Sequence, residues 1–98
     1  MQKRLPSLHL LRIFEAAARH SSFKKASEEL NLTASAVSHQ IKALEGFLQI
    51  ELFIRLNRRL ELTAAGKTYF NVVNEVFLRL EEGTHALLQA HGKPGLFI

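Results

Sequence analysis

Two amphipathic helices separated by only a few residues constrain the fold of this chain more than any other feature. Apolar residues spaced by four, three and four predict a helix over residues 34–48, with a buried stripe of Val37, Ile41, Leu44 and Leu48. A shorter helix is predicted over residues 22–30, and Thr33 can cap the second helix because its hydroxyl can accept from a first-turn amide. This arrangement is typical of a helix-turn-helix motif, although purely structural helix pairs share it.

The face of the second helix opposite its apolar stripe carries small polar and charged groups and no large apolar side chain. It consists of Ser35, Ser38, His39, Lys42 and Glu45. Such a face suits hydrogen bonding to base edges and phosphates in a major groove better than it suits a protein interface. The sequence therefore predicts that this helix contacts DNA.

The excess positive charge lies in the part of the chain that contains this motif. Residues 1–63 hold ten Lys and Arg against six Glu, whereas residues 64–98 hold three against three. A polyanionic partner for the first part, and a different role for the second, is the simplest interpretation. A net charge of +4 is also compatible with solubility alone.

A first helix is predicted after Pro6-Ser7, with its end near His20-Ser21 and Ser7 as a possible cap. Ser22 can then cap the short helix that carries Phe23. The apolar residues of the first helix recur at helical spacing, so we expect it to pack across the other two helices. The predicted core residues of this three-helix cluster are Phe14, Phe23, Leu30, Val37, Ile41 and Leu44.

The hydropathy pattern changes from a helical to an alternating one after Leu48. Alternation over residues 50–55 and 59–63 predicts two short strands joined around residues 56–58. The expected tip of this hairpin carries Arg55, Asn57, Arg58 and Arg59. Arginine enters a narrow minor groove readily, so the hairpin is predicted to be the wing of a winged helix. A merely solvated basic loop is the alternative, and no glycine marks the turn.

From Thr63 the helical period returns and persists to about Ala90. The apolar residues form a heptad seam of Tyr69, Val73, Val76, Leu80, Gly83, Leu87 and Ala90, widened by Phe70, Phe77 and Leu88. Such a helix is about 40 Å long, and a domain of this size cannot cover all of its apolar face. We therefore predict dimerisation through Tyr69, Val73, Val76, Phe77, Leu80 and Leu87. Packing against another domain of the same chain is the alternative.

The fold class predicted from these patterns is all-α with a small β-hairpin, a winged helix-turn-helix followed by a long linker helix. The expected division is a DNA-binding domain over residues 1–63, a linker or dimerisation helix over 64–91, and a hinge with the start of a missing further domain over 92–98, which the resemblance described below implies to be an effector-binding domain. The hinge is indicated by the two glycines and the proline of residues 92–95, and residues 96–98 resemble the beginning of a strand.

Several other classes of protein are not expected. The absence of cysteine excludes disulfides and thiolate metal sites, and no apolar run approaches the roughly 18 residues of a membrane span. The first residues do not resemble a signal peptide, so a cytoplasmic location is expected. The five histidines lack metal-ligand spacing and no nucleophile motif is present, so we expect no enzyme, no catalytic residue and no metal site.

At the level of whole motifs the chain resembles the N-terminal part of LysR-type transcriptional regulators over residues 4–91. The resemblance lies in LRIF at residues 11–14, AVSHQIKALE at 36–45, Leu52-Phe53, Arg55 and LTAAG at 62–66. The phrases RLPSL and FEAAARH are similar to the branch that contains the glycine-cleavage activators.

This resemblance implies a transcriptional regulator that binds double-stranded DNA as a dimer with antiparallel linker helices. It also implies, for the full-length protein, a sensor domain with a small-molecule co-inducer, possible tetramers and contact with RNA polymerase. This chain would be a fragment without that sensor and would hold no cofactor itself. A helical protein-interaction adaptor without specific DNA binding is the alternative.

The resemblance places base-reading positions at Ala34, Ser35, Ser38 and His39 and a minor-groove arginine at Arg58, and their polar and basic neighbours complete the predicted DNA contacts. The predicted base-contacting residues are Thr33, Ala34, Ser35, Ser38, His39 and Lys42. Those predicted to contact the backbone or minor groove are Ser22, Lys24, Arg55, Asn57, Arg58 and Arg59. Family members usually have Gln at the position of Ala34, often Arg at that of His39 and often Gly at that of Gln49. The operator sequence can therefore not be transferred from relatives.

Overall fold

The computed structural model describes residues 5–92, so the predicted strand over residues 96–98 and most of the hinge lie outside the described part. The elements in chain order are α1 (Leu8–His20), α2 (Phe23–Leu30), α3 (Ala34–Leu48), β1 (Phe53–Arg55), β2 (Leu60–Leu62) and α4 (Ala64–His91). The predicted fold class is confirmed: three helices, a two-stranded hairpin and a long final helix.

Each helix begins at a hydroxyl residue whose side chain accepts a hydrogen bond from an amide of the first turn. The four caps are Ser7, Ser22, Thr33 and Thr63, with N–H to Oγ distances of 2.9 to 3.2 Å. The first three confirm predicted caps. A cap of this kind contributes about 1 kcal/mol, which fixes the boundaries of short helices that propensity alone leaves undefined.

Three helices end at a residue with left-handed backbone: Ser21, Asn31 and Gln49, with φ of 51°, 57° and 60°. At Gln49 the side-chain Nε2 donates to the carbonyl of Gly46 at 2.7 Å. This hydrogen bond helps to offset the cost of a left-handed conformation in a residue with a Cβ. The end of α3 is therefore well defined without glycine.

The core lies where the three helices meet the hairpin and the first half of α4. Phe14 is fully buried, and its ring centroid lies 5.6 Å from that of Phe53 and 5.7 Å from that of Tyr69. Of the six predicted core residues, Phe14, Val37, Ile41 and Leu44 are buried. Phe23 and Leu30 are only half-buried, because α2 lies at the edge of the cluster.

The hairpin is shorter than predicted. β1 and β2 are antiparallel, with Phe53 opposite Leu62 and Arg55 opposite Leu60. Ile50 lies outside the strand and is 50% exposed, and Leu52 and Phe53 are both buried instead of facing opposite sides. The predicted alternation over residues 50–55 was therefore wrong, because the segment turns inward beneath α4 before the strand begins.

α4 packs on the domain through its first half only. Gly66 is buried, and a Cβ there would overlap the carbonyl oxygen of Leu52, so the start of α4 can approach the hairpin only with glycine. Val73 is 3% exposed within the core, whereas every residue over 78–91 is exposed. Among the helices described, none is both long and apolar enough to cross a membrane.

An ion-pair network joins α1 to α2. The buried carboxylate of Glu15 accepts from Arg19 Nε at 2.6 Å, and Arg19 Nη2 donates to Glu29 at 2.7 Å. His20 Nε2 lies 2.6 Å from the other oxygen of Glu29. Hydrogen bonds from Arg19, and then from His20, lower the pKa of Glu29 to about 2, and the same carboxylates raise the pKa of Arg19. The network fixes the orientation of α2, which supports α3.

Candidate nucleic-acid interface

The predicted base-contacting residues lie together on one face of α3. Thr33, Ala34, Ser35, His39 and Lys42 are exposed, and Ser38 is half-buried among them. Helical periodicity places positions 34, 35, 38, 39 and 42 on adjacent turns of the same side. On the opposite side of α3, Val37, Ile41 and Leu44 are fully buried, so the polar face cannot rotate away from solvent.

Glu45 does not belong to this exposed face, contrary to the sequence prediction. Its Oε2 accepts from the backbone N–H of Leu52 at 2.7 Å and of Phe53 at 3.1 Å. Hydrogen bonds to a carboxylate are stronger than those between neutral groups. Glu45 therefore fixes the start of β1 against α3 and sets the position of the wing.

Arg55 lies at the end of β1 and not at the hairpin tip where the sequence placed it. Its Nη1 donates to Ser38 Oγ at 3.1 Å, and its guanidinium lies over the ring of Phe23, 4.9 Å from the centroid. This one side chain thus connects the wing with both helices of the helix-turn-helix motif.

The hairpin tip carries the remaining predicted wing residues. The amide of Leu56 donates to the carbonyl of Arg59 at 2.9 Å, which closes the turn and leaves Asn57 and Arg58 exposed. Arg59 forms an exposed ion pair with Glu61 at 3.1 Å. Within residues 5–92 Arg58 forms no ion pair, so it is the more available cation of the two.

The two predicted backbone-contacting residues at the start of α2 differ in availability. The Ser22 hydroxyl already accepts from the amide of Lys25 at 3.0 Å, whereas Lys24 is exposed. Ser22 can still donate its hydroxyl proton to a phosphate oxygen, but from an oxygen held at the helix cap.

The residues predicted for dimerisation lie on two different sides of α4. Val73 is buried inside its own domain, and the ring of Phe77 is covered by the guanidinium of Arg12 at 5.6 Å. For Val73 the predicted role in dimerisation was wrong, because its surface is already covered within the chain. Phe77 faces α1 in the same way. Tyr69 is half-buried, and burial raises the pKa of its hydroxyl.

The open side of α4 carries the remaining apolar residues. Val76, Leu80 and Leu87 are 48%, 52% and 58% exposed. Val72, which was not among the residues predicted for dimerisation, is 53% exposed. Stepping from Tyr69 by three and then four, instead of four and then three, would have found Val72. Next to it, a groove of about 380 Å³ lies between the end of α3 and α4, lined by Leu48, Ile50, Leu52, Ala65, Thr68, Tyr69 and Val72.

Among the described residues no three His, Asp or Glu side chains lie close enough together to hold a metal ion. The groups that converge near the exposed face of α3 are hydroxyls, an imidazole, ammonium groups and guanidinium groups. These groups supply hydrogen bonds and positive charge, which suit the edges of bases and the phosphates of a nucleic acid.

Comparison with known proteins gives a consistent result. Residues 8–67 match the family described as bacterial regulatory helix-turn-helix protein, lysR family. Over all 98 residues the chain is 55% identical to the glycine cleavage system transcriptional activator homolog of Haemophilus influenzae and 52% identical to the glycine cleavage system transcriptional activator of Escherichia coli. It spans only 33% and 32% of the lengths of these two relatives.

The backbone is similar to that of two solved protein–DNA complexes. For the BenM DBD with catB site 1 DNA, the TM-score is 0.80 at 26% identity, covering 87% of this chain and 96% of that one. For the CbnR DBD–DNA complex, the TM-score is 0.73 at 26% identity, covering 88% and 100%. The similarity thus extends over the three-helix cluster, the hairpin and most of α4.

Proposed function

Because the chain belongs to the LysR family of bacterial regulatory helix-turn-helix proteins, we propose that it binds double-stranded DNA as a homodimer and regulates transcription. The observation that carries this proposal is the exposed polar face of α3, held beside a wing whose tip presents Arg58. That a BenM DBD and a CbnR DBD of similar fold were solved with DNA supports it.

In this proposal α3 enters the major groove and contacts base edges, while the wing reaches the adjacent minor groove. The methyl group of Ala34 can touch a thymine methyl, and the imidazole of His39 can hydrogen-bond a purine edge. Lys24 and Lys42, both exposed, are placed to neutralise phosphates. Arg58 enters the minor groove, where the negative potential is enhanced when the groove is narrow.

The homodimer forms through the open side of α4. Val72, Val76, Leu80 and Leu87 leave a long apolar stripe in solvent, and a second copy of α4 would cover it in a two-fold arrangement. Helix α4 has 28 residues and is therefore about 42 Å long, enough to carry one DNA-binding domain near each end of an antiparallel pair. The groove between α3 and α4 extends this apolar surface.

Further properties are proposed from the family resemblance and concern a protein of the length of the relatives. They are control by a small-molecule co-inducer, assembly of dimers into tetramers and contact between the DNA-bound assembly and RNA polymerase. Binding to chromosomal DNA would place the protein in the bacterial cytoplasm.

The proposal is tested with the 98-residue chain and a pool of duplexes of random sequence. Repeated selection should enrich one sequence, and log affinity should fall linearly with log salt concentration. His39→Ala should lower affinity for the selected duplex by about 1 to 3 kcal/mol and affinity for random duplexes much less. Equal losses on both would refute base reading by His39.

The same measurements separate DNA binding from the alternative of a protein-interaction adaptor. An adaptor that binds through an apolar helix face would show little salt dependence and no selected sequence. A chain that is monomeric in sedimentation and retards no duplex at low ionic strength would contradict the proposal as a whole.

A further inference from the structure

The hydroxyl of Ser38 has an unusual hydrogen-bonding state for a helical serine. Ser27 and Thr84 donate their hydroxyl protons to carbonyls of their own helices, those of Lys24 and Leu80. This is the common arrangement for hydroxyl residues within helices. Ser38 instead accepts, from Arg55 Nη1 at 3.1 Å, and within residues 5–92 its own proton has no acceptor.

A serine hydroxyl has one proton to donate and two lone pairs that accept. In general it can therefore contact a donor or an acceptor on a base, and serine contributes little discrimination. Arg55 occupies one lone pair of Ser38, and a guanidinium stays protonated at any physiological pH and has no acceptor. Ser38 cannot reverse this hydrogen bond, and one lone pair remains beside the proton. Accepting from a cation polarises the hydroxyl, so the proton is a stronger hydrogen-bonding group than the remaining lone pair.

Arg55 is itself held in place from three sides. Its backbone pairs with Leu60 in the hairpin, its guanidinium lies over the ring of Phe23, and the start of its strand is fixed to α3 by Glu45. Stacking on an aromatic ring and a planar donor geometry restrict the guanidinium further. The polarity of Ser38 is thus built into the free protein.

We propose that Arg55 is a positioning residue that makes Ser38 a hydrogen-bond donor towards DNA, so that Ser38 selects a base with a major-groove acceptor and rejects cytosine. Purines present N7 there and thymine presents O4, whereas cytosine presents only its N4 amino donor. This inference rests on the proposed DNA-binding function and adds a base preference to it.

The test uses the whole chain, the duplex selected from the random pool, and single-base variants of that duplex. The base pair that Ser38 contacts is the one at which the Ser38→Ala variant no longer discriminates between bases. At that position the wild type should bind the cytosine variant about tenfold more weakly than the selected duplex. Ser38→Thr, which keeps the hydroxyl, should retain this preference.

Arg55→Gln is the informative variant. It should remove the preference at the base pair that Ser38 contacts, and the double variant with Ser38→Ala should lose no further preference there. Arg58→Gln removes the same charge from the same hairpin but does not contact Ser38. It should weaken binding to all duplexes while leaving the preference at that base pair unchanged.

Three results are decisive against the inference. If Arg55→Gln lowers the affinity for all duplexes by the same factor and the base preference survives, Arg55 contacts the DNA backbone and is not a positioning residue. If the wild type tolerates cytosine wherever Ser38 makes contact, the assigned polarity is wrong. If the wild type enriches no sequence at all, the proposed function itself fails.

A further experiment does not use Arg55→Gln and so does not depend on the folding of that variant. Where the selected base at the contacted position is a purine, replacing its N7 by carbon should lower wild-type affinity about tenfold. The same replacement should leave the affinity of Ser38→Ala unchanged. An equal loss for both proteins would overturn the inference.

Discussion

The carboxylate of Glu45 accepts a hydrogen bond from the backbone N–H of Leu52 at 2.7 Å. Glu45 lies in the last turns of α3, and Leu52 is the residue at which the chain turns inward before the wing. This contact, with its neighbour at Phe53, transmits the position of α3 to the hairpin. Glu45 therefore contributes, together with Arg55, to the relative placement of the two proposed DNA-contacting elements.

We expect Glu45→Ala to lower the free energy of unfolding by about 2 to 3 kcal/mol, because it leaves two amide donors without their charged acceptor. The measurement is urea unfolding followed by circular dichroism. Glu51→Ala is the control, since Glu51 is exposed and its side chain forms no hydrogen bond within residues 5–92. Its effect should stay within about 0.5 kcal/mol. Similar losses for the two variants would mean that the Glu45 contacts contribute nothing.

The glycine at the start of α4 is expected to be irreplaceable. Gly66→Ala should cost at least about 2 kcal/mol in free energy of unfolding, because its Cβ would collide with backbone that cannot move independently. Gly46→Ala is the matched variant: apart from the adjoining backbone of its own helix, no atom lies within 4 Å of its Cβ position. It should be stabilising by about 0.5 to 1 kcal/mol, the helix preference of alanine over glycine. A tolerated Gly66→Ala would show that α4 can sit further from the hairpin.

Two leucines of nearly equal exposure on opposite sides of α4 test the proposed dimer. Leu80 is 52% exposed and Leu78 is 50% exposed, and a separation of two residues places them about 200° apart around the helix. Leu80→Glu should raise the dimer dissociation constant at least about tenfold, whereas Leu78→Glu should leave it nearly unchanged. Sedimentation equilibrium measures both. Dissociation caused by Leu78→Glu alone would place the interface on the other side of α4.

The two wing arginines should differ in their effect on DNA binding. Arg58→Gln should reduce the slope of log affinity against log salt concentration by about 0.9, as expected for one lost phosphate neutralisation. Arg59→Gln should reduce it less, because Glu61 already offsets the charge of Arg59 in the free protein. Fluorescence anisotropy with a labelled duplex at several salt concentrations gives both slopes. A larger effect at Arg59 would contradict this order.

The ion-pair network between α1 and α2 predicts a pH dependence of stability. The folded pKa of Glu29, about 2, lies below the ordinary value of 4.5, so its contribution is present above pH 4.5 and is lost as the pH falls towards 2. Near neutral pH the free energy of unfolding of the wild type should exceed that of Glu29→Gln by about 1 kcal/mol, a value that allows for solvent screening. This difference should vanish by about pH 2.

Glu28→Gln is the control for this prediction. Glu28 is the adjacent exposed carboxylate and forms no ion pair within the described residues. Its substitution should change stability little at any pH. If the stability difference for Glu29→Gln is independent of pH, then the carboxylate charge is not what stabilises the network.

Sequence reasoning was most accurate for the helices, because the signals that define them are local. The caps Ser7, Ser22 and Thr33 act within three residues of themselves, and the stripe of Val37, Ile41 and Leu44 follows from helical spacing alone. The winged helix-turn-helix fold and the long final helix follow from the same kind of local pattern.

The predictions were wrong where a residue faces a neighbour distant in sequence. A strand of three residues offers too few positions for alternation to show which side is buried, so the burial of both Leu52 and Phe53 could not be predicted. On α4 two apolar stripes lie side by side, and periodicity cannot tell which of them packs on the domain. The burial of Val73 and the exposure of Val72 were decided by the packing of α1 against α4.

The sequence alone thus determined the order and boundaries of the helices and, except at Glu45, the polar face of α3, since hydropathy period and capping act within a turn or two of the chain. Only the tertiary structure decided the partners of Glu45 and Arg55, which contact residues 7 and 17 positions away. The physical reason is that a long charged side chain can reach many groups, and which of them it meets depends on how the helices and the hairpin pack.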